Sequence, residues 1–382
     1  MLDVLFVNKF GPGGNAITGL TAAELAGFLK QAGLNVGFLC MRANYRANRQ
    51  SAEVPTSFAV WQMRSLYDGD RRWLRFLAGL IDGFRLFTRA QRLKSRVIVV
   101  MTEPPLLFLH FQLWRHFCVA RLGYYTMDLY PDAFAANGIV HPSNLLYRFL
   151  MDLAYRSPPD FVIALGHAQR RFVSEKFHGK LLDSFVDPCG LLPAISRRLQ
   201  YVQFTRISFG YGGNLGEAHD SEFIIKFALA LDPAKHILYL SVYGSKSQQV
   251  LSVVKDLKAV VVLPILTHSE IANIQINIVT LLPAWSHVCV PSKAVTAISC
   301  GSAVLLNCSK VTDAWQMFSD AAWIIEPAND YESQIKSFLG DLSIDSISVK
   351  RRAAALLARS ISDEREREYS KIASYLRKFR SQ

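Results

Sequence analysis

The sequence contains no long uninterrupted apolar run, although it is rich in apolar residues. Hydrophobic residues make up 51% and charged residues 19% of the 382 residues. A membrane-spanning helix needs about 20 consecutive apolar residues, and no stretch approaches that length. The first ten residues read as a strand rather than as a signal peptide. We therefore expect folded cores and a cytoplasmic protein, not a disordered chain.

Motifs for metal and disulfide chemistry are also missing. The six cysteines lie scattered in apolar segments, without a Cys-x-x-Cys pair or a histidine at ligand spacing. Asp68-Gly69-Asp70 resembles an Asp-x-Asp metal motif, but it follows no buried strand and precedes a helix, so we predict helix capping there. The sequence predicts reduced, buried thiols and no metal site.

Acidic residues are too few to balance the basic ones. The chain has 31 Asp and Glu against 43 Lys and Arg, which gives a net charge of +12. Such an excess indicates an anionic partner, which can be nucleic acid, an anionic lipid or a small diphosphate. No recognisable nucleic-acid-reading motif accompanies the basic residues, so we do not predict nucleic-acid binding.

Many of the basic residues lie between residues 70 and 96. Apolar residues recur there at helical spacing among eight arginines and lysines, and they are Trp73, Phe76, Leu77, Leu80, Ile81, Phe84 and Phe87. This pattern is typical of a helix that lies in an anionic membrane surface. It is equally typical of a helix packed on a core with a solvated basic face. Both interpretations stay open.

The order of apolar segments predicts two α/β domains. Short apolar runs alternate with helical patterns, as in parallel βαβ units. Strands are predicted at Val4–Phe10, Val36–Met41, Val97–Thr102, Tyr124–Leu129, Phe161–Leu165, Ile207–Tyr211, Ile237–Tyr243, Val260–Leu263, Ile276–Leu282, Ala303–Asn307 and Ala322–Ile325. We predict doubly wound parallel-sheet domains at 1–190 and 191–362, facing a cleft, and a C-terminal helix at 363–382 that could cross back to the first domain.

Glycine-rich turns follow the first strand of each half. They lie at Gly11–Asn15 and at Gly210–Asp220, each just before a helix. Glycine permits close backbone approach, and amides at a helix start favour an anion. Asn214 and His219 are short donors that could reach a phosphate. The first turn lacks the Gly-x-Gly-x-x-Gly spacing of dinucleotide-binding proteins. The alternative for the first turn is a tight turn without a ligand, and the alternative for the second is a strained strand-to-helix turn in which His219 starts the helix.

A third segment, Pro291-Ser292-Lys293, opens a helix. Proline at the first turn leaves amides that point outward, Ser292 adds a hydroxyl and Lys293 adds a positive charge. Together these groups suit a diphosphate. A capped helix with a solvated lysine is the alternative.

In this order, the segments resemble a known family. Tyr211 to Asp220 reads Tyr-x-Gly-Asn-Leu-Gly-x-Ala-His-Asp, and Val290 to Lys293 reads Val-Pro-Ser-Lys. The combination resembles bacterial family-4-type glycosyltransferases of the GT-B fold, which has two Rossmann-like domains. The first glycine turn and the segments 127–132 and 162–166 fit the same pattern, so the resemblance covers almost the whole chain.

The resemblance implies transfer of a sugar from a UDP- or GDP-linked donor to a glycan or polyprenyl-diphosphate-linked acceptor in cell-surface polysaccharide synthesis. It also implies retention at the anomeric carbon and no metal or other cofactor, with the nucleotide sugar as co-substrate. A cytoplasmic enzyme, peripheral on the inner face of the membrane, would suit this role. By position, the implied donor-binding residues are Gly13, Gly14, Asn15, Gly213, Asn214, His219, Pro264, Ile265, Ser292, Lys293 and Thr296.

The chain departs from the family pattern at two positions where glutamates are usual, which are Val288 and Thr296 here. Thr296 keeps a hydroxyl for a ribose but has no charge. Asn214 and Asp220 replace the usual arginine and lysine, so Lys293 is the main candidate cation. These losses favour an alternative, a catalytically silent GT-B subunit that binds a partner glycosyltransferase or a membrane.

The candidate catalytic residues are Lys293, Asp128 and Glu103. Lys293 would stabilise the leaving diphosphate. Each carboxylate stands at the end of a predicted strand of the first domain, where it could contact sugar or acceptor; structural capping is the alternative role. An epimerase of the same fold would need a cluster of carboxylates and histidine that the sequence does not assemble.

Overall fold

The structure, a computed structural model, describes residues 1–13, 16–42, 56–67, 69, 71–180, 183–190, 206–328 and 330–380. The chain divides into two compact units. Unit 1 comprises Met1–Cys189 and Glu364–Gln382, and unit 2 comprises Gly190–Asp363.

Unit 1 is built on a sheet of parallel strands that have the order β3-β2-β1-β4-β5-β6-β7. The strands are β1 Leu2–Val7, β2 Val36–Arg42, β3 Ala59–Arg64, β4 Ser95–Val100, β5 Arg121–Tyr125, β6 Phe161–Ala164 and β7 Ser184–Val186. The helices are α1 Ile17–Gln31, α2 Arg72–Arg92, α3 Leu107–Leu113, α4 Asp132–Ala136, α5 Leu145–Tyr155 and α6 His167–Lys176. The strand order reverses between β1 and β4, where doubly wound sheets bind ligands.

Unit 2 repeats this topology, with parallel strands in the order β10-β9-β8-β11-β12-β13. The strands are β8 Ile207–Asn214, β9 His236–Tyr243, β10 Val260–Val262, β11 Ile276–Thr280, β12 Ala303–Asn307 and β13 Ala322–Ile325. The helices are α7 Ser221–Leu229, α8 Ser247–Val254, α9 His268–Asn273, α10 Ser292–Ser299, α11 Asp313–Phe318, α12 Tyr331–Asp341 and α13 Ile344–Arg377. The switch point lies between β8 and β11. The predicted fold, two Rossmann-like parallel-sheet domains, is confirmed.

The central strands form where the sequence has continuous apolar runs, since helices cover both faces of a parallel sheet. All six residues of β1 and all five residues of β12 are buried. The two edge strands β3 and β7 were not predicted. All residues of β3 are partly or fully exposed, and β7 has three residues. Edge strands of this kind carry little apolar signal.

Several predicted strands extended too far toward their carboxyl ends. The prediction at Tyr124–Leu129 covers a strand that ends at Tyr125. The next residues leave the sheet, yet Met127 and Leu129 are as buried as strand residues, with 3% and 0% exposure. Burial therefore continues into the loops at this edge, and an apolar pattern does not distinguish such a loop from a strand.

Helix α13 is longer than the helix predicted at the C-terminus, because it begins at Ile344. Its last part belongs to unit 1, where Ile372 and Leu376 are buried. Arg365 forms two hydrogen bonds to the Glu24 carboxylate on α1, at 2.9 and 2.6 Å. Tyr369 donates a hydrogen bond to Asp187 at 3.0 Å. Polar and apolar contacts thus both hold this end of the helix on unit 1.

None of the six cysteines forms a disulfide, and all six lie in the part of the chain that the structure describes. Cys40, Cys189, Cys300 and Cys308 are buried. The prediction of burial is wrong for Cys118 and Cys289, which are partly exposed. Among the helices in the described ranges, none has the length and apolar character needed to cross a membrane.

Candidate functional site

The second glycine turn forms the carboxyl end of β8. Gly213 has a φ of +110°, a left-handed conformation that favours glycine. A Cβ atom on Gly213 would lie 3.2 Å from Cε of Lys293, and one on Gly212 would lie 3.2 Å from the Leu266 side chain. The two glycines therefore let a lysine and the loop after β10 approach the strand end closely.

Lys293 lies in the first turn of α10, directly after Pro291 and Ser292. Its ammonium donates hydrogen bonds to the backbone oxygen of Asn214 at 2.7 Å and to the ring of His219 at 2.6 Å. The same nitrogen is 5.3 Å from the centroid of the Tyr211 ring. These groups enclose the ammonium although the residue as a whole is partly exposed, and desolvation lowers the pKa of Lys293 to about 7. Within the described ranges, no ion pair with a carboxylate offsets this cost.

His219 is a neutral hydrogen-bond acceptor for Lys293. Its Nδ1 lies 2.7 Å from the backbone oxygen of Thr280. A carbonyl oxygen can only accept, so we assign the proton to Nδ1 and the lone pair to Nε2, which faces Lys293. Burial and the adjacent Lys293 charge lower the pKa of His219 well below its ordinary value. The imidazole therefore adds no positive charge to the site at neutral pH.

A second lysine near this turn was not singled out from the sequence. Lys246 follows β9 and donates hydrogen bonds to the backbone oxygens of Glu217 at 2.9 Å and His219 at 2.7 Å. Desolvation lowers the pKa of Lys246. A glycine and a lysine after an apolar strand, Gly244 and Lys246, are the signal that could have pointed to it.

Asp220 has a structural role at the start of α7. One carboxylate oxygen accepts from the backbone of Phe223 at 3.0 Å, and the other accepts from the hydroxyl of Tyr331 at 2.6 Å. Its own backbone N–H donates to the side chain of Thr280 at 3.0 Å. Asp220, rather than His219, is thus the capping residue of this helix.

The two positions that lack the usual glutamates differ in their surroundings. Val288 is buried, with 5% exposure. Thr296 lies on α10, where its hydroxyl donates to the backbone oxygen of Gly190 at 3.0 Å. A Cβ on Gly190, which has a φ of +98°, would lie 2.8 Å from the backbone oxygen of Ser292. The Gly190 turn therefore packs against the start of α10, and the Thr296 hydroxyl is engaged in a hydrogen bond to this turn.

The start of α10 has features of an anion site. No side chain caps the helix, and Ser292 is partly exposed beside Lys293. Uncapped amides and the helix dipole favour a negative charge here.

The loop after β10 lies beside the same glycine turn. Pro264 is exposed and Ile265 is partly exposed, and the next residue, Leu266, packs beside Gly212. The structure thus groups Gly213, Asn214, His219 and Lys293, with the 264–266 loop beside the same strand end.

Unit 1 brings Glu103 and Asp128 together at the carboxyl ends of β4 and β5. Burial raises the pKa of Asp128 to about 6. Burial, followed by the charge of Asp128, raises the pKa of Glu103 to about 7, while Lys9 and Arg75 act in the opposite direction. The backbone N–H of Lys9 donates to the Glu103 carbonyl at 2.6 Å. Lys9 and Arg75 are charged neighbours that sequence reasoning missed.

The first glycine turn is described only in part. Gly13 is partly exposed, and α1 begins at Ile17 without a side-chain cap. Gly14 and Asn15 lie outside the described residues, as do Asp68 and Asp70. The contacts predicted between this turn and a nucleotide-sugar donor stay predictions.

No family model and no curated protein sequence matches the chain. Solved structures match over almost its full length. One is sucrose-phosphate synthase from Thermosynechococcus elongatus, with a TM-score of 0.72, 12% identity and coverage of 99% of both chains. Another is a UDP-forming α,α-trehalose-phosphate synthase from Burkholderia xenovorans in complex with glucose-6-phosphate, with a TM-score of 0.62, 12% identity and 99% coverage of both chains.

A third is WaaG, a glycosyltransferase involved in lipopolysaccharide biosynthesis, with a TM-score of 0.63, 14% identity and coverage of 98% of this chain and 99% of that one. The chain has the GT-B fold. At these identities the likeness is one of architecture, so the chemistry has to be argued from the residues at the strand ends.

Proposed function

We propose that the protein is a glycosyltransferase that uses a UDP- or GDP-linked sugar and that the diphosphate binds beside Lys293. The observation that carries this proposal is the environment of the Lys293 ammonium. It lies against the glycine turn at Gly213, and in the described part of the chain all of its hydrogen-bond acceptors are neutral. A diphosphate would supply the negative charge that this ammonium lacks. The uncapped start of α10 would add amide donors to the same anion.

In the proposed reaction, Lys293 and the amide dipoles stabilise the charge that develops on the leaving diphosphate. His219 orients the ammonium through its Nε2 lone pair and stays neutral. The acceptor hydroxyl attacks on the face from which the phosphate leaves and gives its proton to that phosphate. The anomeric configuration is thus retained, and neither a dedicated base nor a metal is required. Measuring the anomeric configuration of the product by NMR tests retention.

Glu103 and Asp128 are the proposed contacts of unit 1 for the sugar or acceptor. Burial raises the pKa of Glu103 to about 7 and that of Asp128 to about 6, so near neutral pH Glu103 is partly protonated and the two groups can donate hydrogen bonds to sugar hydroxyls and accept them. The proposed acceptor is a glycan or a polyprenyl-diphosphate-linked sugar, used in cell-surface polysaccharide synthesis in the cytoplasm. The structural neighbours support this direction, since one is UDP-forming and another acts in lipopolysaccharide biosynthesis.

The test is isothermal calorimetry with UDP, GDP and their sugars. We expect one nucleotide to bind wild type and Lys293→Ala to weaken that binding about tenfold to a hundredfold, the usual cost of a charge-assisted hydrogen bond. Lys255→Ala, which removes an exposed lysine after α8, is the matched control and should bind like wild type. Equal binding by Lys293→Ala would contradict the proposed site.

The second candidate is a catalytically silent GT-B subunit that binds a partner glycosyltransferase or a membrane. It is favoured by buried Val288 and by Thr296, whose hydroxyl already bonds Gly190. Neither position supplies a carboxylate for a ribose. Folded wild-type protein that binds none of the nucleotides would support this candidate over the enzyme.

A further inference from the structure

His219 connects two lysines that come from different elements of unit 2. The Lys246 ammonium, after β9, donates a hydrogen bond to the backbone oxygen of His219 at 2.7 Å. The Lys293 ammonium, in the first turn of α10, donates to Nε2 of the His219 ring at 2.6 Å. One lysine therefore holds the backbone of this histidine, and the other lies against its ring.

Lys246 is held close to the second glycine turn by its own loop. Its backbone N–H donates to the oxygen of Leu215 at 3.1 Å, and the backbone N–H of Leu215 donates to the oxygen of Tyr243 at 2.6 Å. Gly244 has a φ of +106°, and a Cβ atom there would lie 2.2 Å from Oδ1 of Asn214 and 3.0 Å from the Leu215 oxygen. Glycine at this position thus lets the loop after β9 pack directly on the turn, and backbone contacts set the position of Lys246.

The Lys246 ammonium bonds to backbone oxygens that lie outside helix α7. Glu217 and His219 precede the N-cap residue of this helix, so their oxygens are not part of its hydrogen-bond ladder. Lys246 donates to these two oxygens at 2.9 and 2.7 Å. The backbone N–H of Leu282, after β11, donates to the oxygen of the intervening Ala218 at 2.9 Å. Three consecutive carbonyls are thus fixed before the helix begins, two of them by Lys246.

Lys246 also acts on the ring of His219 through its charge. Burial lowers the pKa of His219 most, and the charges of Lys293 and Lys246 lower it further. The hydrogen bond to the Thr280 oxygen acts in the opposite direction. The Tyr211 ring stands edge-on to the imidazole, with 6.2 Å between the ring centroids. A neutral ring keeps the Nε2 lone pair on which Lys293 depends, so both cations favour the form that accepts.

Two carboxylates near Lys246 favour its charged form. Desolvation lowers the pKa of Lys246, while the charges of Glu217 and Asp220 raise it. Hydrogen bonds from a charged donor are stronger than those from a neutral one. The carboxylates therefore strengthen the hold of Lys246 on the backbone at His219.

We propose that Lys246 is a positioning residue of the donor site. It fixes the backbone at His219 so that the Nε2 lone pair faces Lys293 and keeps that ammonium at the glycine turn. No contact between Lys246 and the nucleotide is needed, because Lys246 acts through His219. This role rests on the proposed donor site at Lys293. A lysine that only braced the loop after β9 would stabilise unit 2 without affecting Lys293.

The experiment is a double-mutant cycle on the full chain, measured by calorimetry with the UDP- or GDP-linked sugar that binds wild type. Lys246→Met removes the ammonium and keeps most of the side-chain length. It should weaken binding about fivefold to tenfold, within the range of coupling between residues in contact. In the Lys293→Ala background the same change should have no further effect, because its route to the donor is gone. Lys246→Arg keeps the charge and the donors, so it should bind more tightly than Lys246→Met.

NMR of the His219 ring gives a measurement that needs no nucleotide. In Lys246→Met the pKa of His219 should rise, because one of the two neighbouring cations is gone. Lys255→Met, which changes an exposed lysine after α8, is the matched control and should alter neither donor affinity nor the pKa of His219. Thermal melting verifies folding, and Lys246→Gln, which keeps two N–H donors, replaces Lys246→Met if the latter does not fold.

Three results would overturn the role of Lys246 while the donor site stands. They are wild-type affinity in Lys246→Met, losses that add in the double variant, and an unchanged pKa of His219 in Lys246→Met. Wild type that binds no UDP- or GDP-linked sugar would instead overturn the proposed function, and the role of Lys246 would fail with it. The two failures are distinguishable, because only the second abolishes binding by wild type.

Discussion

At the scale of single residues, the Lys293 ammonium lies against a neutral imidazole rather than against a carboxylate. It donates to His219 at 2.6 Å and to a backbone oxygen at 2.7 Å. Neither partner compensates the charge, which is why desolvation lowers the pKa of Lys293 to about 7. An anion that arrives at this place would relieve the cost. An ammonium held in this way favours ligand binding more than stability of the free protein.

The pH dependence of donor affinity follows from this environment. A bound diphosphate raises the pKa of Lys293, so the complex holds more protons than the free protein above pH 7. By linkage, affinity for the UDP- or GDP-sugar should be highest below pH 7 and should fall by up to about tenfold per pH unit above it. Calorimetry between pH 6 and 8 measures this, since the sugar nucleotide itself does not titrate in that range.

Lys293→Arg is the control for this prediction, because the guanidinium stays charged throughout the range. Its affinity, even if lower than that of wild type, should vary little with pH. A wild-type profile as flat as that of Lys293→Arg would show that Lys293 does not titrate at the binding site.

At the scale of elements, a buried carboxylate connects the last helix to the sheet of unit 1. Asp187 follows β7 and accepts hydrogen bonds through one oxygen from the hydroxyls of Tyr125 and Tyr369. Burial raises the pKa of Asp187 to about 7, although both hydroxyls and Arg365 act in the opposite direction. The end of α13 is thus fixed by a group that prefers to be protonated in the folded state.

The raised pKa of Asp187 determines how its contribution to the free energy of unfolding changes with pH. Between pH 4 and 7 the folded protein holds a proton on Asp187 that the unfolded chain has lost, so the Asp187 contribution decreases as pH rises. Asp187→Asn keeps an acceptor for both tyrosines but does not titrate. It should be more stable than wild type at pH 8, on the order of 1 kcal/mol, and the difference should shrink toward pH 4.

Urea unfolding at pH 4, 6 and 8 checks this prediction, with Asp256→Asn as an exposed control that should show no such trend. A difference between Asp187→Asn and wild type that is constant with pH would contradict a titrating Asp187.

Elements also differ in how well the sequence predicts them. Central strands such as β1 and β12 were predicted because nearly all of their residues are apolar, and every residue of both strands is buried. Edge strand β3 was not predicted; none of its residues is buried, and the polar residues Gln62 and Arg64 interrupt its apolar pattern. For α2, spacing revealed the apolar residues, but only packing assigned Phe87 to the core and Phe84 to the surface. Phe87 therefore has to be removed from the predicted membrane-facing set.

At the scale of the whole molecule, each unit has its own hydrophobic core. Phe209, Tyr211 and Phe223 are among the fully buried residues of unit 2, and Phe6, Phe38 and Tyr124 are among those of unit 1. Separate cores of this size can unfold separately. We therefore predict two transitions in differential scanning calorimetry.

Two variants assign the transitions. Asp187→Asn at pH 8 should shift the transition of unit 1. Gly244→Ala should lower that of unit 2, because Gly244 has a φ of +106° and a Cβ there would lie 2.2 Å from Oδ1 of Asn214. Gly340→Ala should not lower this transition, because a Cβ atom on Gly340 would have no other atom within 4 Å. The sugar nucleotide should raise the transition that Gly244→Ala lowers. One transition that both variants shift would show that the units unfold together.

The alternation of strands and helices, the glycine turns and the candidate lysine can be predicted from the sequence, because these features depend on neighbouring residues. Only the folded structure reveals their surroundings. It placed His219 against Lys293, Thr280 behind His219, Tyr369 on Asp187 and Trp114 beside Phe84. Each pair joins residues that are distant along the chain, so the packing of whole elements sets their contact. Burial, and with it the pKa and exposure on which the proposed functions depend, follows from that packing.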